Sequence, residues 1–231
     1  MNEAQIICMP YHKTVSSSSN ETKAQIIMVA ERLFAERGFA GTTLRNIVSE
    51  ANVNLAAVHY HFGSKEELFR AVVRQFAQPV VERELFLLSQ LKTQATLPSV
   101  EAILTAMVQP SLEILSQDEE MRLVRSQFMG RCRTEPEPIQ TIAYQEFAQA
   151  MEAFLDILQQ VLPEQSRAQL AWKLDCVITV LVRVLMEAGK PHALLKSNRP
   201  KDIQDTTEAL VRFLSPGMRS LLQTNYDEDQ V

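Results

Sequence analysis

The sequence predicts an all-α protein. Ala, Leu, Val, Glu and Gln dominate while only 6 of 231 residues are glycine. Apolar residues recur with the 3.6-residue period of a helix face, and no stretch bounded by turn residues alternates with the two-residue period of a strand. The length suffices to bury a sizeable core in one large or two small domains.

Met1 to Asn20, which include the run SSSSN, show little periodicity and read as a mobile tail. A helix follows from about Thr22 to Arg37. Ile26, Ala30, Leu33 and Phe34 fall on one stripe beside Ile27, and Gly38 is placed to end it as a left-handed cap. Thr42 and Thr43 open a second helix whose Leu44, Ile47, Val48 and Ala51 point inward. Asn52 sits where a tight inter-helix turn needs positive φ. Asn54 can cap a third helix, Leu55 to Phe62. Ser64 and Glu67 form a capping box, S-x-x-E, for a fourth that runs toward Leu91 with Pro79 as a kink or interruption.

The rest reads as long helices over about 99–115 (Pro110 a kink), 119–132, 139–162, 166–188 and 202–214, with a short one over 216–222. The acidic TEPEP stretch, 134–138, is a loop, and Gly189 with Pro191 closes the 166–188 helix. The domain division is then a tail over 1–20, a reader domain over 21–67, a helical body over 68–224 and a flexible end over 225–231.

Charge is unevenly placed. Between Thr22 and Ala77 the cations exceed the anions by two, whereas the whole chain carries −5, leaving about −7 outside that segment. A mildly basic head on an acidic body suits docking on phosphates at one end only. The three cysteines, Cys8, Cys132 and Cys176, show neither CxxC nor metal-ligand spacing, so free thiols and no metal or cofactor are expected. Arg131 and Arg133 flank Cys132, which leaves a redox role for that thiol as the sharper alternative. No apolar run approaches the ~18 residues of a membrane span, and the expected compartment is the cytoplasm.

The second and third helices form a helix-turn-helix, whose second member enters the major groove of DNA. On it Val58 and Phe62, with Ala57, face inward, while Asn54, Leu55, Ala56, His59 and Tyr60 face out. Leu55 and Ala56 suit thymine methyls, and Asn54 suits a base edge or phosphate. Thr42, Thr43, Arg45, His59, Tyr60, His61 and Lys65 complete the set of candidate DNA contacts, most of them as donors to phosphate oxygens.

These residues carry a family resemblance. Phe34, Gly38 and Phe39; Thr42, Thr43 and Ile47; Ala51 to Asn54; and His59 to Phe62 with Lys65 and Leu68 match the N-terminal motif of the TetR family of bacterial transcriptional regulators. The stretches NLAAVHYHFGSKEEL and LVRFLSPGMRS are similar to its PsrA-like branch. The chain departs from the pattern at Asn52 (turn glycine), Asn54 (usually Ser) and His59 (usually Tyr). The resemblance implies a homodimer on a palindromic operator, most often a repressor, with an all-helical C-terminal half for dimerisation and ligand binding. Some relatives in the wider family respond to acyl chains or acyl-CoA esters.

The body shows no catalytic constellation, so no enzyme activity is expected. Met107, Phe128, Tyr144, Phe147 and Met151 are the candidates for an adaptable apolar ligand cavity, with plain core packing as the alternative. The 166–188 helix is apolar around most of its surface, so it must be buried on more than one side. Leu174, Val177, Ile178, Leu181 and Leu185, with Leu210 on the 202–214 helix, are the expected dimer contacts; a helix buried within one protomer is the rival. The expected function is a ligand-responsive DNA-binding regulator released by a small apolar molecule. The alternatives are control by a protein partner or by cysteine oxidation, and an enzyme carrying a DNA-binding head.

Overall fold

The computed structural model describes residues 15–115 and 119–221 and, within them, no side chain at 15–18, 115, 119 or 120. The described residues form helices and connections without a strand. The helices are α1 (Val15–Gly41), α2 (Leu44–Glu50), α3 (Leu55–Phe62), α4 (Lys65–Lys92) and α5 (Val100–Leu115), followed by α6 (Glu119–Cys132), α7 (Ile139–Gln145), α8 (Ala148–Val161), α9 (Arg167–Glu187) and α10 (Pro200–Arg219). None of them is long and apolar enough to cross a membrane.

The caps expected from the sequence are built as the residue types require. Thr43 and Asn46 satisfy each other's backbone in a reciprocal box at α2. The Asn54 side chain accepts from Ala57 N–H at 2.7 Å to start α3, and Ser166 and Gln169 form a second reciprocal box at α9. Ser64 caps α4 by accepting from Glu67 N–H, but the Glu67 carboxylate turns instead to Arg70 at 3.5 Å, so the expected box there is half made. Asn52 has φ 51°, the left-handed turn that Asn tolerates.

Five boundaries differ from the sequence expectation. Residues 15–20 belong to α1, so the tail does not extend to Asn20; residues 1–14 and 222–231, which include the expected flexible end, lie outside the described residues. Gly38, at φ 71° and ψ 177°, kinks α1, and helix resumes to Gly41 instead of stopping. Pro79 sits inside a continuous 28-residue α4. The segment expected as one helix from 139 splits into α7 and α8 without glycine or proline at the break. There Glu146 is drawn to Arg70 and Arg74, and the Phe147 ring packs 6.2 Å from that of Phe76, so tertiary contacts override propensity. Conversely, α10 runs through Pro216 as one helix, with Ser215 donating its hydroxyl to the Val211 carbonyl.

One apolar core runs through head and body. Helix α1 lies on α6, α4 on α5, α6 on α9 and α5 on α10. The Lys173 ammonium, 4% exposed, donates to Gln165 Oε1 (2.5 Å), the Met218 carbonyl (3.1 Å) and the Ser220 carbonyl, closing the C-terminus of α10 with a cation. The expected dimer residues fall on this inner side. Leu174, Val177, Leu181, Leu185 and Leu210 are buried within the chain and Ile178 half-buried, which favours the rival reading that the apolar girth of α9 serves its own protomer. The large apolar groups that α9 and α10 leave exposed are Trp172 and Phe213.

Candidate nucleic-acid interface and interior cavity

In the head, α1, α2 and α3 close over Ile26, Leu33, Phe34, Ile47, Ala51 and Val58, all without exposed surface. Gln25 Nε2 donates to the Ala51 carbonyl at 2.9 Å, and Arg32 pairs with Glu50, so the turn between α2 and α3 is held from α1. Val58 and Phe62 anchor α3 inward. Its opposite face presents Leu55, Ala56, His59 and Tyr60, the last 81% exposed. Asn54 is exposed although its side chain is engaged as a cap, and Arg45 is exposed with no ion pair to any described residue.

The other candidate contacts are placed less openly. Thr42 is completely buried; its hydroxyl donates to the carbonyls of Leu33 (3.1 Å) and Gly38 (2.9 Å). Its side chain braces the kink in α1 and offers nothing to a ligand, which corrects the sequence expectation. Thr43 is exposed, with its hydroxyl in the α2 box. His59 is exposed, and its Nδ1 lies 3.0 Å from the Gly63 carbonyl, which fixes its ring. His61 is half-buried, edge-on to Tyr60 at 5.0 Å. The Lys65 ammonium stands 4.0 Å over the Phe39 ring, and partial desolvation lowers its pKa from the usual lysine value.

Head and body meet in a set of stacked and edge-on rings. Phe34 and Phe69 lie 5.3 Å apart, Phe69 and Phe128 5.3 Å, and Phe76 and Phe128 5.8 Å. Phe128 therefore belongs to this junction and does not line the cavity, contrary to its candidacy as a ligand contact. Polar ties reinforce the seam. Arg131 donates to the carbonyls of Ala35 (2.5 Å) and Glu36 (2.7 Å), capping the first part of α1, and Glu135 Oε1 accepts from Phe39 N–H at 2.8 Å. A Cβ at Gly38 would stand 2.8 Å from that same carboxylate oxygen. Gly38→Ala is expected to cost about 1–2 kcal/mol, from backbone strain plus displacement of Glu135. A urea titration showing no shift in midpoint would refute the strain argument.

In the body, α4 to α9 line a partly open cavity of about 330 Å³. Met107, Tyr144, Phe147 and Met151, four of the five candidate ligand residues, line it, as do Phe76, Met129 and Phe154. Ile178 and Leu181, expected at a dimer interface, also lie on its wall. Cys132 reaches it too, but its flanking arginines point elsewhere. Arg131 grips α1, and Arg133 holds Asp175 Oδ1 at 2.5 Å and Thr179 Oγ1 at 3.0 Å. Burial pushes the thiol far above its ordinary pKa, with Glu135 adding to the rise, which favours the expected free thiol over the alternative of a thiolate stabilised by its neighbours.

Glu84 escaped the sequence reading. It occupies the buried stripe of α4 between Val80 and Leu88, is 6% exposed, and lines the cavity. A carboxylate at helix spacing within an apolar run was its visible signal.

Comparison with known proteins agrees with this layout. The sequence pattern of bacterial regulatory proteins of the tetR family matches residues 26–72, and that of the tetracyclin repressor-like C-terminal domain matches residues 105–217. The chain is 43% identical over 61 residues to the HTH-type transcriptional regulator TtgR of Pseudomonas putida, covering 26% of this chain and 29% of TtgR. It thus spans less than a third of that relative's length. Among solved structures, the fatty acid degradation regulator FadR from Bacillus halodurans superposes with a TM-score of 0.59 at 16% identity, covering 87% of this chain and 97% of that one. FadR from Bacillus subtilis, in complex with stearoyl-CoA, does so at 0.54 and 15% identity, covering 84% and 98%. The two patterns, head and body in their expected order on one all-helical fold, show that the chain belongs to the TetR family of transcriptional regulators.

Proposed function

We propose that the chain is a cytoplasmic repressor that binds a palindromic operator as a homodimer and leaves it when a small, largely apolar molecule fills the body. Residues 21–67 are the reader and 68–224 the sensor and dimer body. The observation that carries this reading is the physical continuity between the cavity and the reader. Phe147 and Phe76 on the cavity wall pack on each other, Phe76 packs on Phe128, and Phe128 packs on Phe69 and on Phe34 of the head. Helix α6 supplies Met129 and Cys132 to the wall and Arg131 to the α1 carbonyls, so a shift of α6 on filling the cavity moves the head's anchor.

In the operator complex, Leu55 and Ala56 meet thymine methyls, Asn54 and Arg45 a base edge or a phosphate, and Thr43, His59, Tyr60, His61 and Lys65 serve the phosphates. The two reader helices stand about 34 Å apart, one turn of DNA. The exposed Trp172 and Phe213 support a dimer contact on the outer faces of α9 and α10. Ligand acts only through different affinities for the bound and free arrangements, a coupling of about 1–3 kcal/mol in such systems. The presence of a cavity favours a small molecule over a protein partner as the signal.

Selection of bound duplexes from a random pool by the full-length chain tests this reading. A recovered two-fold repeat with half-site centres about one helical turn apart is expected, and recovery of no preferred sequence overturns it. On the recovered site, Tyr60→Ala is expected to weaken binding about tenfold, or ~1.4 kcal/mol. Its thermal midpoint should be unchanged because the ring is exposed. Equal affinity of the variant in a gel shift would remove Tyr60 from the interface.

A further inference from the structure

Glu84 is an acid placed where an acid is costly. Its carboxyl lines the cavity, is 6% exposed, and receives no hydrogen bond and no ion pair from any described residue. Among the described residues no fully buried side-chain oxygen is left unpaired, so the Glu84 oxygens open onto the cavity, and what fills the cavity must satisfy them. The wall itself does not. Its uncharged hydroxyls, on Ser111 and Tyr144, make no bond to the acid, and its one cation, Arg133, is committed to Asp175 and Thr179. The other ionisable wall groups are Cys132, Tyr144, Glu152 and Asp175, from α6, α7, α8 and α9, and α5 contributes none. Asp175 is paired with Arg133 and Glu152 with Arg167, which leaves Glu84 as the acid of the wall without a cation among the described residues. Most of the remaining surface is apolar and aromatic, including Phe76, Phe147 and Phe154, whose ring faces favour positive charge.

We propose that Glu84 is the ionic anchor of the effector site, and that the effector is a lipophilic cation: an apolar body that fills the cavity, with a protonated amine donating to the Glu84 carboxylate. This names the ligand class of the site proposed above and rests on that reading. An acyl carboxylate would set a second negative charge beside an ionised Glu84 and could take only one shared proton from the protonated acid, and an uncharged hydrocarbon would offer it no donor. A protonated amine supplies the donors that the wall does not, and in a partly desolvated site such a charge-assisted bond is strong. Burial raises the Glu84 pKa well above the ordinary carboxylate value, so the empty site holds the acid's proton over part of the accessible pH range. Cation binding expels that proton, which leaves Glu84 for the buffer as the N–H⁺···⁻O pair forms. Affinity for an amine accordingly rises as pH rises through the folded-state pKa of Glu84, while the amine itself stays protonated.

Three ten-carbon probes with different heads test the assignment on the full-length protein: decylammonium, decanol and decanoate, each titrated by calorimetry below its micelle concentration. Decylammonium is expected to bind about tenfold tighter than decanol, with decanoate weakest. Below the folded-state pKa of Glu84 the binding heat of decylammonium should depend on the buffer's ionisation enthalpy, the mark of a released proton. Glu84→Gln, isosteric and uncharged, is expected to bring decylammonium and decanol within about threefold of each other. The wild-type head-group series and proton release decide the matter without the variant if Glu84→Gln does not fold. Decanol or decanoate binding as tightly as decylammonium overturns the anchor and leaves the ligand-sensing reading standing. If none of the three binds, both fall.

Discussion

Phe69→Ala is expected to destabilise the protein by about 3–5 kcal/mol, the cost of emptying a large aromatic site that cannot collapse. Phe69 is 1% exposed and meets three rings at once: Phe34 and Phe39 of the head at 5.3 and 5.5 Å, and Phe128 of the body at 5.3 Å. Its loss removes apolar burial and edge-to-face contacts from both domains together. Because the core is continuous across the junction, the variant should unfold in one earlier transition followed by circular dichroism. Against a typical total stability of about 5–15 kcal/mol, that loss takes a large share. Phe69→Leu, which keeps most of the volume, should cost distinctly less. A shift below about 1 kcal/mol for Phe69→Ala, or a separate early transition of the head alone, would show that the junction is not a shared core.

The reader was legible because its residues are chosen by local rules. Caps at Thr43, Asn54 and Ser64, positive φ at Asn52, and the inward pair Val58 and Phe62 each depend on neighbours within a few positions, and the structure reproduces them. What failed depended on distant partners. Thr42 reads as an exposed hydroxyl at a helix start until the kink at Gly38 brings the Leu33 and Gly38 carbonyls to it. The split of α7 from α8 is made by Arg70 and Arg74, some seventy residues upstream, pulling on Glu146. Apolar girth on α9 says only that the helix is buried on several sides, and the fold spends it on α6, α8 and the cavity wall. The same ambiguity hid Phe128, because a ring lining a cavity and one filling an inter-domain seam have the same periodicity. Cys132 shows the limit for electrostatics. Arg131, in the last turn of α6, and Arg133, just past its end, reach different partners, and neither serves the thiol between them.

Glu84→Leu is expected to stabilise the unliganded protein, and by an amount that depends on pH. In the folded state the Glu84 pKa lies well above its unfolded value, with desolvation as the cause. Below the unfolded value both states carry the proton, and the acid costs little beyond its unpaired hydroxyl. As pH rises from there through the folded pKa, unfolding releases the proton and the native state must either keep it or bury a charge. Wild-type stability from this group is therefore fully present at low pH and lost on going up. Leucine, close in volume and without a charge, escapes that loss. The variant should gain stability over wild type by an amount that grows with pH, smallest where the unfolded-state carboxyl is still protonated and largest above the folded-state pKa of Glu84. Denaturant titrations at several pH values read the difference directly, and a loss of stability at every pH would show that the carboxylate has a partner. The gain should carry a functional cost, because a leucine at this position cannot pair with a cation. In the unliganded protein the acid is retained at the expense of stability, as expected of a binding group and not of a packing one.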